Sequence, residues 1–388
     1  MSVIPRIGAF ADELTAIRQN LHAHPELGFE ETRTAAIVAE KLRAYGVDEV
    51  HEGIGGTGVV GMIRGQGGGN RRIGLRADMD ALPIEEASGV AYASQTAGKM
   101  HACGHDGHTT MLLGAARYLA ETREFDGTAV LIFQPAEEGL GGARRMIAEG
   151  LFKRFPCDEL YGMHNDPNSE PNQVKVTPGP AMAGASFFDI KVTGTGSHAA
   201  MPHQSKDPIV IGTALVQQLQ SVVSRNIPPT KPLVLSVTKF QAGSAYNVVS
   251  DSATIAGTIR YFHSDVIEMA EARMQELCAG LAAAYGVTIE VALRNVFDVL
   301  QNDPDLSQAY IEAAADVVGA DMAMITEDQM TGSEDFADML QVVPGAYCRV
   351  GHVGSVPLHN PSFVLDDAIL PVGASVYARI IETRLKRS

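Results

Sequence analysis

Residues 128–134, TAVLIFQ, leave little freedom over the kind of fold this chain can adopt. The run is apolar, rich in β-branched side chains and lacks polar residues at alternate positions, as in a central strand buried on both faces. Such a strand needs cover on both sides, which points to a sheet flanked by helices. Further strand patterns fit that scheme at residues 59–63, at 73–77, where Ile73, Leu75 and Ala77 alternate with Gly74 and Arg76, and at 158–163. Helical patterns surround them at residues 12–21, with Leu14, Ile17 and Leu21 on one face, at 31–45, stopped by Gly46, and at 109–123. The glycine-rich RGQGGGN at 64–70 reads as a hairpin turn between two strands. A phosphate-cradling loop opens a helix instead, so no nucleotide site is expected there.

The chain has 388 residues, enough for two domains. From Ser186 the order becomes strand, helix (207–225), strand (233–240), strand (254–262), helix (265–285), strand (287–293), which matches a ferredoxin-like unit. The simplest α/β architecture is a discontinuous catalytic domain, residues 1–181 and 295–388, with a mixed sheet flanked by helices. An inserted ferredoxin-like α+β domain occupies 182–294.

Composition narrows the function. A net charge of -16, with no cluster of Lys and Arg, argues against a nucleic-acid partner. No apolar run approaches the roughly 20 residues needed to span a bilayer, and the N-terminus lacks the apolar core of a secretory signal. The four cysteines, Cys103, Cys157, Cys278 and Cys348, lack the spacing of a disulfide framework, so a reducing, cytoplasmic setting is expected.

Chemistry gathers where the strand patterns end. Met100 to His108 reads MHACGHDGH, three histidines, a cysteine and an aspartate just before a helical pattern. Thiolate and imidazole are favoured ligands of divalent transition metals, and Cys103 and His105 could reach one cavity from an irregular loop. The strand at 73–77 runs into Asp78-Met79-Asp80, and Asp80 is a candidate to orient a metal-bound imidazole, although two capping aspartates would look the same. TAVLIFQ runs into Glu137-Glu138, where one carboxylate could bind metal and its neighbour take a proton. The strand at 158–163 delivers His164. His22 and His24, in HAHPEL, read as parts of a structured turn, and Ser333-Glu334-Asp335 as a helix start.

RADMDALP, MHACGHDGH, QPAEEG, YGMHNDP, GSHAAMPH, GSEDFA and PLHNPSF, in this order over nearly the whole chain, resemble the amidohydrolase branch of the aminoacylase/carboxypeptidase metallopeptidase family. Hippurate hydrolases, N-acyl amino acid amidohydrolases and auxin-conjugate hydrolases belong to that branch. The resemblance implies two divalent ions bridged by Cys103, with His105, Glu138, His164 and His359 completing the set and Glu137 as general base. Asp78 stands where other branches use a histidine ligand, and is expected to stay off the metal. His198 is implied as the oxyanion donor, reaching across a homodimer formed through the inserted domains. Asn247 and Arg260 are implied substrate contacts, Arg260 through the carboxylate of the leaving amino acid. His203 reads as structural.

A thiolate, three imidazoles and a carboxylate suit zinc, manganese, cobalt or nickel better than magnesium or calcium. Water held between such ions loses its proton near neutral pH and can attack an amide carbonyl. The resemblance implies an N-acyl amino acid, hippurate-like or N-acetylated, as the substrate. A dipeptidase would use the same groups, whereas a non-catalytic zinc protein would have no use for the spare carboxylate of Glu137.

Overall fold

The computed structural model describes residues 3–354 and 356–387. The chain divides into two compact units: Met1–Ala181, Gln301–Asp328 and Asp335–Ser388 form the first, and Met182–Leu300 with Gln329–Glu334 the second. In chain order the first unit opens with α1 (Ala11–Ala23), α2 (Thr32–Ala44), β1 (Glu49–Ile54), β2 (Gly58–Arg64) and β3 (Arg72–Asp78). It continues with α3 (His105–Thr122), β4 (Thr128–Gln134), β5 (Glu159–Asp166) and β6 (Val174–Val176). The second unit holds β7 (Gly184–Thr193), α4 (Pro208–Ser221), β8 (Leu233–Ala242), β9 (Ser252–Tyr261), α5 (Ser264–Tyr285) and β10 (Thr288–Phe297). The chain then completes the first unit with α6 (Pro304–Val318), β11 (Ala323–Ile325), β12 (Gly345–Gly351) and α7 (Leu370–Arg384).

Among the described residues, eight strands of the first unit form one mixed sheet in the order β1-β2-β4-β3-β5-β12-β6-β11. The TAVLIFQ strand lies inside it, with Ala129 to Phe133 removed from solvent. Each large apolar side chain there contributes roughly 1.5–3 kcal/mol by leaving water. Helices α1, α3, α6 and α7 supply Leu14, Leu112, Tyr310 and Val376 to the same core. The hairpin expected across RGQGGGN does not form. The crossover through α3 lays β3 and β4 side by side in parallel, and β4 pairs antiparallel with β2 on its other side. The glycine segment therefore spans from β2 past β4 to β3.

The second unit is an antiparallel sheet in the order β8-β9-β7-β10, with the core residues of α4 and α5 on one face. This is the ferredoxin-like β-α-β-β-α-β arrangement. Strand β10 stays paired with β7 as far as Phe297, so the unit closes at Leu300 rather than 294 and also takes in Gln329–Glu334. No helix among the described residues is long and apolar enough to cross a membrane.

Candidate metal centre

The helix after the histidine-rich segment begins at His105, four residues earlier than the 109–123 pattern suggests. Gly104 adopts φ 92°, a left-handed conformation that turns the chain directly into α3, so Cys103 stays in the loop while His105 stands on the first helical turn. Asp78 ends β3, and His164 lies near the end of β5. Glu137 and Glu138 follow β4 through Ala136, whose φ of 54° is uncommon for a residue with a Cβ. Buried Glu31 holds that kink by accepting the Ala136 N–H at 2.8 Å and the Thr57 hydroxyl at 2.5 Å. His359 also has positive φ, 63°, in the loop after β12.

These segments bring Cys103, His105 and His164 together, with one ligand atom from each within 4.8 Å of the others. Cys103, Glu138 and His359 form a second such group, and His105, Glu137 and Glu138 a third. Cys103 Sγ lies 3.3 Å from His164 Nε2, and His359 Nε2 lies 3.2 Å from Glu138 Oε1.

The second atoms of these side chains are already committed, which sets the direction of their lone pairs. His105 Nδ1 donates to Asp80 Oδ1 at 3.2 Å, and Asp80 Oδ2 accepts the Glu138 N–H at 3.0 Å. His164 Nδ1 donates to the Asn165 carbonyl at 2.7 Å. His105 Nε2 is buried without a hydrogen-bond partner and Glu138 Oε1 faces only the His359 ring, which is costly in a dry interior unless something else satisfies them. A divalent cation fits that need and that donor set.

Asp78, His105 and His108 also lie close together. His108 Nε2, however, accepts the Asn165 N–H at 3.0 Å and Nδ1 donates to Asp78 at 2.7 Å, so the ring has no lone pair to spare. Asp78 is fully buried and also accepts from Arg76 at 2.8 Å.

Electrostatics divide the histidines. Burial pushes the His164 pKa well below its ordinary value, leaving it neutral. Burial would lower His105 as well, but the charge of Asp78 and the hydrogen bond to Asp80 hold it well above. Burial, then the Glu138 charge, raises the Cys103 thiol, so a ligand bound there displaces a proton. Hydrogen bonds to Cys103 and Glu138 raise His359 to about 10.

Residues 74–383 match peptidase family M20/M25/M40. The chain belongs to that family. This M20-family chain is 40% identical over 386 residues to a hippurate hydrolase of Campylobacter jejuni, covering 100% of both chains. It is 37% identical over 373 residues to an N-acetylcysteine deacetylase of Bacillus subtilis, covering 96% of this chain and 97% of the relative. Among solved structures, the YxeP protein of Bacillus subtilis, described as a dinuclear metal-binding peptidase of the M20 family, superposes with a TM-score of 0.84 at 32% identity. That match covers 98% of this chain and 100% of the other.

The other sequence candidates lie in the second unit of the M20 chain. His198 is exposed in a two-residue strand pair with Val248, and its Nδ1 accepts the Ala200 N–H at 3.1 Å. Asn247 is exposed, with its carbonyl held by the Ala199 N–H at 3.0 Å. Arg260, half-buried on β9, lies 5.9 Å from the Phe187 ring centroid and has no ion pair among the described residues. His22 sits buried in the last turn of α1 rather than in a turn, bonded to Asp106 at 2.8 Å and Glu86 at 3.2 Å. His24 caps that helix.

The cluster also rests on supports that the motif spacing does not mark. Arg76 donates to Gln134 at 2.8 Å and to Asp335 at 3.2 Å, and Asp335 in turn gives its backbone N–H to Glu137 Oε1 at 3.4 Å. An arginine alternating with apolar residues in a strand was a signal: at that position it must be buried or at an edge.

Proposed function

We propose that the chain is a metal-dependent amidohydrolase that splits N-acyl amino acids, hippurate-like or N-acetylated, into a carboxylic acid and a free amino acid. The observation that carries the reading is Cys103 shared between two ligand groups, one with His105 and His164 and one with Glu138 and His359, which together would hold two divalent ions. Zinc, manganese, cobalt and nickel all suit these donors. When bound, such ions polarise the scissile carbonyl and acidify water. Glu137 takes the proton of the attacking water and passes it to the amine nitrogen as the C–N bond breaks. Asp80 orients His105 and the Glu138 backbone. His198 donates to the developing oxyanion, a contribution of about 3 kcal/mol. Asn247 orients the substrate, and Arg260 pairs with the carboxylate of the leaving amino acid. The first unit would act as the catalytic domain and the inserted unit as a lid and homodimer contact, in a cytoplasmic enzyme.

The relatives support the amide class, since hippurate and N-acetylcysteine are both N-acyl amino acids. The test is amine release from a panel of N-acyl amino acids and free dipeptides, using chelator-stripped protein reloaded separately with zinc, manganese and cobalt. Metal-dependent release that favours blocked amines supports the proposal. A preference for free dipeptides makes the chain a peptidase, and no release with any metal overturns the catalytic reading.

A further inference from the structure

We infer that Asn165 is the positioning residue that shapes the Cys103 loop for cation binding, an inference that rests on the metal-site reading above. Asn165 is 2% exposed and directly follows His164 on β5. Its Nδ2 donates to the Cys103 carbonyl at 2.6 Å, tying together the two segments that carry Cys103 and His164. Its backbone N–H donates to His108 Nε2 at 3.0 Å, and its Oδ1 accepts from His352 Nε2 at 3.0 Å. The amide is thus used on both its oxygen and its nitrogen. His108 carries the tie inward to Asp78 at 2.7 Å, and Asp78 to Arg76 at 2.8 Å, all at side chains with no exposure.

The loop is built around this amide. A Cβ on Gly104 would lie 2.3 Å from Asn165 Nδ2, closer than atoms pack, so only glycine lets the Cys103 carbonyl come within reach. Asn165 therefore acts on the backbone that presents Cys103 and on the ring that holds Asp78, and touches no ligand atom itself. Without the tie, the loop carrying Cys103 would have to be ordered by the cation, and the ordering cost would come out of the binding free energy.

The test is zinc affinity, measured on chelator-stripped protein by competition with a chromophoric chelator, for wild type, Asn165→Ala and Asn165→Asp. The same samples give the melting temperature with and without zinc. Both variants are expected to bind zinc about ten- to a hundredfold more weakly and to show a smaller zinc-induced rise in melting temperature. Asn165→Asp keeps the shape and adds a negative charge that by itself favours a cation, so a loss there isolates the missing N–H donor. It also decides the matter if Asn165→Ala does not fold. Folded Asn165→Asp that binds zinc as tightly as wild type overturns the inference. Wild type that binds no zinc overturns the metal-site reading beneath it.

Discussion

Glu137 and Glu138 are adjacent in sequence, yet their surroundings differ. Glu138 has its backbone N–H on Asp80 and its carboxylate beside His359, whereas Glu137 accepts the Asp335 N–H. Glu137→Gln is expected to keep its metal and lose about 10²- to 10⁴-fold in kcat, checked by metal analysis alongside the amine-release assay. Full activity in that variant would remove Glu137 as the base. His22 supplies a residue-level test of stability. Burial alone would lower its pKa, but the hydrogen bond and charge of Asp106, then Glu86, raise it from 6.5 to about 9. Its contribution is fully present below pH 6.5 and is lost as pH rises through 9, a difference of about 3 kcal/mol. Burial would raise Glu86, but its bonds to His22 and Ser88 lower it from 4.5 to about 2, so its share is present above pH 4.5 and lost as pH falls through 2. The melting-temperature gap between wild type and His22→Gln should be widest between these limits, at pH 4.5–6.5, and narrow towards pH 9. A gap that stays constant across that range would mean that His22 holds α1 by packing alone.

Among the elements, the ends of β3, β4 and β5, where carboxylates and a histidine gather, could be read from their local patterns, because an apolar run that stops at acidic or histidine residues marks where a strand leaves the core. The kink just beyond β4 could not be read in that way. The left-handed Ala136 depends on Glu31, distant in sequence and, within GFEE, no different in pattern from a solvated glutamate. Glu31→Ala strands the buried Ala136 N–H and should cost about 1–3 kcal/mol, read from urea denaturation. It should also lower activity by loosening Glu137. A variant as stable as wild type would mean that the kink needs no such support. The strand order was equally hidden: RGQGGGN has the composition of a hairpin turn, and the crossover that puts β4 between β2 and β3 is a long-range pairing.

At the scale of the molecule, a metal held by these groups would be coupled to stability, because the donor atoms of separate segments meet only in the folded chain. Stripping divalent ions should lower the melting temperature, and zinc at 100 times its dissociation constant should restore about 2.7 kcal/mol. Calorimetry that gives one transition temperature for stripped and loaded protein would contradict a site formed by folding. Helix and strand types, the ferredoxin-like second unit and the donor chemistry at the strand ends are legible in the sequence, because periodicity and residue type are local properties. What separates His105 from His108 is tertiary: Nε2 of His105 meets no hydrogen-bond partner whereas both ring nitrogens of His108 are engaged, although the two side chains have the same chemistry. Arg76, Asp335 and Asn165 belong to the same class: their partners lie on other segments, and side-chain hydrogen bonds over such separations leave no period in the sequence.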